Sequence, residues 1–225
     1  METRLSVNGA APDDSYGEDI LISLSTSRKV FPQELPTVGG CIAGEISVEM
    51  IEPPETIPRQ AKLIPYVRLW NLDGTLCSEW VQKGVFYIDT RKKKEDTTGV
   101  IRYSIQGYDD ILKTEQEYTD SELTWPAKDE DVVWEIASRI GVIIDRRTLD
   151  IITNEYQVDD VIGYTYREVL GYIAAMYGGN FIMTDQGRLL LVAMGDPSAD
   201  DDVETNYLID ERGNILTFGG DRILV

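Results

Sequence analysis

Adjacent acidic residues are the side chains of this sequence with the most direct chemical potential. They occur as Asp109-Asp110, Asp159-Asp160 and Asp200-Asp201-Asp202. Two carboxylates facing each other across a cleft can serve as general acid and as nucleophile or base in glycoside hydrolysis. With 40 Asp and Glu in 225 residues, such pairs arise from composition alone. The sequence does not display the separation of two carboxylates across a cleft, so these pairs do not indicate a glycosidase, and we predict no catalytic residue and no enzyme.

Two further patterns fall short of a metal or cofactor site. The segment Asp200–Glu204 offers hard oxygen ligands for calcium, but it lacks the spaced ligands and central glycine of an EF-hand loop. The glycine pairs Gly39-Gly40, Gly178-Gly179 and Gly219-Gly220 are not followed by the Lys-Ser/Thr of a phosphate-binding loop. We predict a solvated loop and turns, with no metal and no cofactor.

The sequence has few side chains that commonly act as a nucleophile or a general base. The chain has no histidine, which removes the commonest general base and the Ser-His and Cys-His arrangements. Cys41 and Cys77 are too few for a disulfide scaffold, and we predict that both are reduced packing residues. A cell-wall hydrolase would have to use an acid pair or a serine-lysine pair.

Aromatic residues leave two interpretations open. Trp70, Trp80, Trp125 and Trp134, together with twelve tyrosines, could stack on sugars or fill a core and an interface. Core or interface is favoured. A carbohydrate-binding or adhesin module would use Trp70 or Trp80 on an exposed face.

Charge argues against nucleic acid. The formal net charge is -19, which repels phosphate backbones. The basic run Arg91–Lys94 is followed by Glu95-Asp96 and predicts a solvated hairpin tip rather than a DNA contact. No apolar run approaches the roughly 18 residues of a membrane span, and Met1–Gly9 lacks a signal-peptide core. We predict a soluble protein made in the cytoplasm, without membrane insertion.

The first half of the chain alternates apolar and polar residues with period two, as half-buried strands do. The predicted strands are Ile20–Ser25, Ile42–Met50, Ala61–Trp70, Gly84–Asp89 and Gly99–Gln106. Pro65 within the third of them indicates an edge or bulge position. Short strands between turns favour a small barrel or sandwich.

The pattern changes to helical spacing after Tyr108. Asp109 or Asp110 can cap a short helix, and Trp125-Pro126 marks a break. A helix is predicted from Asp129 to Gly141, and it carries its apolar residues on one face.

A second helix opens at a capping box and leads into a hairpin. Thr165 and Glu168 have the capping-box spacing, and Gly178-Gly179 ends the helix. The following hairpin joins Asn180–Thr184 to Arg188–Val192.

These elements predict an α+β fold, mainly β: a small β-barrel-like domain with an inserted two-helix plus β-hairpin unit. We place the β-barrel-like hub domain at 1–120, the α+β unit at 121–195, and terminal strands that return to the β domain at 196–225.

The order of the segments resembles tail proteins of phages and prophages of Gram-positive bacteria. The resemblance covers most of the chain and lies in four stretches: Val38–Ile46, Glu79–Asp89, Ile105–Lys113 and Tyr164–Val192. The last stretch is similar to a hub-protein pattern of Thr-x-Arg-Glu, Leu-x-x-Ile-Ala, a glycine stop and a hairpin ending in Gly-x-Leu.

What the resemblance implies is a baseplate-hub or tail-tip protein, similar to the hub of contractile tails and the base of type VI secretion spikes. Such proteins assemble as homotrimers between the tail tube and the tip, and their partners are other tail proteins (tail tube, distal tail and tip proteins). The expected function is structural assembly, in the virion tail after synthesis in the cytoplasm. This chain is shorter than the full pattern, which usually continues into a second barrel.

Overall fold

The computed structural model describes residues 1–31, 36–53, 55–71, 74–75, 78–95, 99–153, 155–195, 217–218 and 221–222. The chain divides into two compact units, Met1–Ala193 and Met194–Val225. In the second unit, Thr217–Phe218 pairs antiparallel with Asp221–Arg222. The loop predicted at Asp196–Asp202 lies outside the described residues. The proposed return of the terminal strands to the β domain remains a prediction.

The strands of the first unit are β1 (Glu2–Val7), β2 (Leu21–Ser27), β3 (Gly40–Cys41), β4 (Glu45–Ile51), β5 (Lys62–Arg68), β6 (Val81–Gln82), β7 (Phe86–Glu95), β8 (Ile101–Tyr108), β9 (Ala127–Lys128), β10 (Ile143–Ile144), β11 (Gln157–Val158), β12 (Gly179–Met183) and β13 (Arg188–Ala193). The helices are α1 (Asp129–Ile140), α2 (Arg146–Ile151) and α3 (Tyr166–Met176), with 3-10 turns at Pro12–Asp14 and Asp110–Glu115.

A seven-stranded antiparallel sheet dominates the first unit. Its order is β1-β5-β7-β8-β4-β2, with β6 paired to β5. In β4 the residues alternate between exposed and buried, and Ile46, Val48 and Met50 face the core. Because successive side chains of a strand point to opposite faces, the alternating sequence buries its apolar residues on one face and exposes its polar residues to solvent on the other.

Of the two positions predicted for Pro65, an edge or a bulge, the edge is wrong, because Pro65 lies inside the sheet at an interruption of the strand pairing. β5 has β1 along one side and pairs on the other side first with β7 at Lys62 and Leu63, then with β6 at Tyr66 and Val67. Pro65 stands between those two pairings. Because proline has no N–H to donate, the gap between partner strands accommodates it without loss of a ladder hydrogen bond.

A smaller four-stranded sheet, β10-β13-β12-β3, carries the helices. Its core is formed by residues of α1, α3 and β12, among them Ile136, Leu170 and Phe181, which are fully buried. The large sheet has a separate core built around Leu5, Ile105 and similar residues. The first unit therefore has two separate hydrophobic cores.

The predicted helix signals are confirmed. Gly141 ends α1 in the left-handed conformation, with φ of 77°. Thr165 and Glu168 form the capping box at the start of α3. Asp109 caps the 3-10 turn by accepting a hydrogen bond from the Ile111 N–H. Helix α2 was not predicted, because it is only six residues long and lacks an apolar stripe.

The strand β3 lies in the chain between β2 and β4 of the large sheet but pairs in the sheet of the helical half. Gly40 and Cys41 pair in parallel with Asn180 and Phe181. Asn180 is fully buried, accepts from the Gly40 N–H (2.6 Å), and donates to the carbonyls of Val30 (2.9 Å) and Thr37 (2.6 Å). The Asn180 side chain thereby holds β3 and the residues before it, Val30 and Thr37, against β12.

The α+β, mainly β fold class is confirmed. The large sheet is open across the described residues, since its end strands β1 and β2 do not pair with each other. None of the helices in the described part of the chain combines the length and the apolarity that a membrane span requires.

Candidate functional site

The acidic pair Asp109-Asp110 has a structural setting. Asp109 is buried and accepts from the Gly44 N–H (2.7 Å) and the Ile111 N–H (3.1 Å). Desolvation raises the pKa of this carboxyl to about 7, while the two backbone hydrogen bonds and the nearby Arg28 act in the opposite direction. The side chain thus joins the start of β4 to the turn that follows β8.

Asp110 is engaged by a neighbour in the same turn. Its Oδ1 lies 2.5 Å from the Lys113 Nζ, a close ion contact outside hydrogen-bonding geometry. The Lys113 ammonium also lies 4.7 Å from the centroid of the Tyr87 ring. Burial, followed by the charge of Asp110, raises the pKa of Tyr87. These contacts connect the turn to β7.

The other acids are dispersed. Asp159 and Asp160 are exposed, and Asp160 accepts from the Ile162 N–H at 3.2 Å. The stretch Asp200–Glu204 lies outside the described residues. Among the residues that the structure describes, no three Asp, Glu or Cys side chains converge in a group that could hold a metal ion.

Cys41 belongs to the core of the helical half. It is buried, and this burial raises the pKa of its thiol to about 12. A thiol in that state is not a nucleophile. Cys77 lies outside the described residues.

Trp70 and Trp80 converge on one arginine. The Arg68 guanidinium lies 4.2 Å from the Trp80 ring centroid and 5.0 Å from that of Trp70. Glu2 accepts from Arg68 Nε (2.7 Å) and from the Trp70 indole (3.0 Å), and the Trp80 indole donates to Asp13 (3.1 Å). The Arg68 hydrogen bond is the main reason that the pKa of Glu2 is lowered. The cluster cross-links β1 and β5, and its cation covers one face of each indole.

The remaining two tryptophans are separate. Trp125 packs against the helical core and meets Tyr118 edge to face, with 6.2 Å between centroids. Trp134 is exposed on α1. The four tryptophans do not form a single platform.

The basic run lies within a strand, because β7 continues through it to Glu95. The prediction that this run forms a hairpin tip is therefore wrong, since Arg91–Lys94 pair with β8. Lys93 binds Glu52 (2.8 Å) and lies over the Tyr103 ring, on the same face as Arg91, which donates to the Ile57 carbonyl. Strand alternation directs Lys92 and Lys94 to the opposite, exposed face.

An exposed surface with apolar side chains lies along α3. A groove of about 460 Å³ runs between the helix and the segment that precedes it, and its lining includes Asp159, Asp160, Tyr164, Tyr172 and Met176. We call these five residues the tyrosine groove. The Tyr164 and Tyr172 rings meet edge to face at 5.5 Å. Exposed aromatic and methionine side chains in a concave surface are typical of a protein-binding site.

Two residues near or in this groove have unusually large exposed fractions for apolar side chains. Ile162 is 84% exposed and Tyr172 is 59% exposed. This surface was not predicted from the sequence. The available signal was the pair Tyr172 and Met176, which are four residues apart and therefore lie on the same side of the helix.

Comparisons with family models and with curated proteins find no match to this sequence. The fold does match solved structures. The crystal structure of the 43 kDa tail protein of prophage MuSo2 from Shewanella oneidensis superposes with a TM-score of 0.58 at 14% identity, covering 85% of this chain and 54% of that one. The tail protein from Neisseria meningitidis MC58 gives a TM-score of 0.54 at 14% identity, covering 96% and 58%.

At this level of identity the likeness shows a shared fold. The chain spans a little more than half the length of each of these two proteins.

Proposed function

We propose that the chain is a structural component of a phage or prophage tail, placed in the baseplate hub or tail tip and acting by assembly with other tail proteins. The observation that carries this proposal is the fold shared with two tail proteins, over 85% and 96% of the chain.

The surface chemistry supports an assembly role. The solvent face of β2 and β4 carries short hydroxyl side chains and carboxylates, including Ser23, Ser25, Glu45 and Glu49. On β2 and β4 this face is polar and acidic, which repels DNA and suits a conduit through which DNA passes. The same face becomes basic on β7, at Lys92 and Lys94. The tyrosine groove supplies an apolar surface of the kind that subunits bury against each other.

The site chemistry gives catalysis little support. The buried carboxylate Asp109 is bonded to backbone N–H groups and holds two elements together, and Cys41 is in the core. The Trp70 and Trp80 pair, which an adhesin would use, has one face of each ring covered by Arg68.

The division into a β-barrel-like domain at 1–120 and an α+β unit at 121–195 is part of this proposal. The two separate hydrophobic cores support it, although β3 contributes Cys41 from the first segment to the second core. A homotrimer in the assembled tail is proposed on the same basis.

Localisation in virions tests the function. The gene would be deleted from an inducible phage or prophage that encodes the protein, and particles would be imaged with and without complementation. We expect tails that lack a tip or fail to assemble, and immunogold label at the distal end of complemented particles. Normal, infective tails in the deletion strain, with no label on complemented particles, would overturn the proposal.

A further inference from the structure

The tyrosine groove has the chemistry to bind a lysine side chain. Its floor is apolar, its wall includes the rings of Tyr164 and Tyr172, and Asp159 and Asp160 stand exposed at its margin. A lysine places its methylene stem on apolar surface and its ammonium near aromatic faces or carboxylates. An extended basic segment therefore matches this groove better than a neutral or acidic one.

The chain itself carries such a segment. β7 and β8 pair along about 20 Å of the large sheet, from the Tyr87–Tyr108 pair to the Lys94–Arg102 pair at about 3.4 Å per residue. β4 lies along the other side of β8, and β5 lies beside only the start of β7. We call these two paired strands the β7–β8 ribbon. Lys92 and Lys94 are exposed on one face of this ribbon, about 7 Å apart.

These two lysines differ from their neighbours in the run. Lys93 is paired with Glu52, and Arg91 is bonded to the Ile57 carbonyl. Within the described residues, Lys92 and Lys94 have no carboxylate within ion-pair distance. Their charges are available to a surface outside this molecule.

Net charge makes the pairing selective. Two copies of a chain with a net charge of -19 repel each other over most of their surfaces. Contact is favourable only where a basic surface of one copy meets an acidic surface of the other. The exposed lysines of the ribbon and the carboxylates of the groove provide such a pair.

We propose that the tyrosine groove binds the β7–β8 ribbon of a second copy of the chain through Lys92 and Lys94. The contact is head-to-tail, since the two surfaces are different, and repetition of such a contact closes a ring when the rotation between copies permits it. This inference rests on the proposed assembly function and names the surface through which copies meet.

Charge exchange tests the contact. Sedimentation velocity would compare the wild type with two variants: Lys92→Glu with Lys94→Glu, and Asp159→Lys with Asp160→Lys. Each variant alone places like charges in the interface, so self-association is expected to weaken at least tenfold. A mixture of the two variants pairs opposite charges again and is expected to recover association.

A matched control separates the contact from net charge. Lys29→Glu with Arg59→Glu changes the net charge by the same amount as the ribbon variant, at two other exposed positions. This variant is expected to associate within about twofold of the wild type. A loss in the control equal to that in the ribbon variant would overturn the specific contact.

Three other outcomes would also refute the proposal: a monomeric wild type, oligomers insensitive to both charge reversals, or variants that do not recover on mixing. So would binding of a labelled DNA duplex by the wild type at about 150 mM salt that the ribbon variant loses, because the lysines would then serve phosphate. Oligomers insensitive to charge reversal leave the tail function standing with another interface. If instead the mixed variants recover association but the virions carry no immunogold label, the tail function is refuted and the contact between copies stands.

Discussion

Replacing Asp109 by asparagine should change how the stability of this protein depends on pH. The carboxyl has a pKa of about 7 in the folded chain, against 3.8 for an ordinary aspartate, and desolvation is the main cause. Because the folded pKa is raised, the folded state binds the proton more tightly than the unfolded state. The resulting stability is fully present below about pH 4 and is lost as the pH rises toward 7.

The magnitude follows from the size of the shift. About three pKa units at 1.36 kcal/mol each correspond to a loss of about 4 kcal/mol in the free energy of unfolding. Asp109→Asn has no carboxyl that titrates at this position, so it should not show this pH-dependent loss of stability. The amide can accept only one of the two backbone hydrogen bonds, so the variant should be less stable than the wild type at low pH by about 1–3 kcal/mol. The two curves should therefore approach or cross as the pH rises.

Urea unfolding at intervals from about pH 4 to pH 8 would measure both curves. Asp150→Asn removes one negative charge from an exposed position and controls for net charge. The diagnostic quantity is the difference in slope between Asp109→Asn and the wild type. Parallel curves within about 1 kcal/mol, or a carboxyl ¹³C resonance of Asp109 that titrates near its ordinary value, would refute the reasoning.

Three further predictions concern packing. In a Cys77→Ser background, Cys41 should react with a thiol reagent only after denaturant is added, because the thiol is buried with a pKa of about 12; rapid labelling of the native protein would contradict this. Asn180→Ala should lower the free energy of unfolding by roughly 2–4 kcal/mol, since it leaves three backbone groups without their partner; an unchanged urea midpoint would show that water replaces the amide. Gly171→Ala should destabilise by about 1–3 kcal/mol, because its Cβ would lie 2.6 Å from the Gly39 carbonyl oxygen; a gain in thermal stability, as helix propensity alone would give, is the opposing result.

Local signals accounted for much of the fold. The capping box at Thr165 and Glu168 and the glycine that ends α1 at Gly141 are set by groups within one turn of each other, so their spacing is visible in the sequence. The same holds for the exposed and buried alternation of β4. The turn cap by Asp109 was visible as well, because it joins residues two positions apart.

The features that depend on distant residues were decided only by the tertiary structure. The pairing of β3 with β12 brings together residues about 140 positions apart, and nothing near Gly40 or Asn180 indicates that pairing. Pro65 lies between two partner strands, which the sequence of β5 alone does not reveal.

The sequence by itself determined the acidic charge, the lack of histidine and the positions of α1, α3 and most of the longer strands. It did not determine that the Gly44 N–H donates a second hydrogen bond to the Asp109 carboxylate. Nor did it determine that Tyr164 and Tyr172 meet in a groove that Asp160 also lines. The physical reason is range. Capping and periodicity act within a few residues, whereas burial, desolvation and the shape of a groove arise from segments that meet only after the chain has folded.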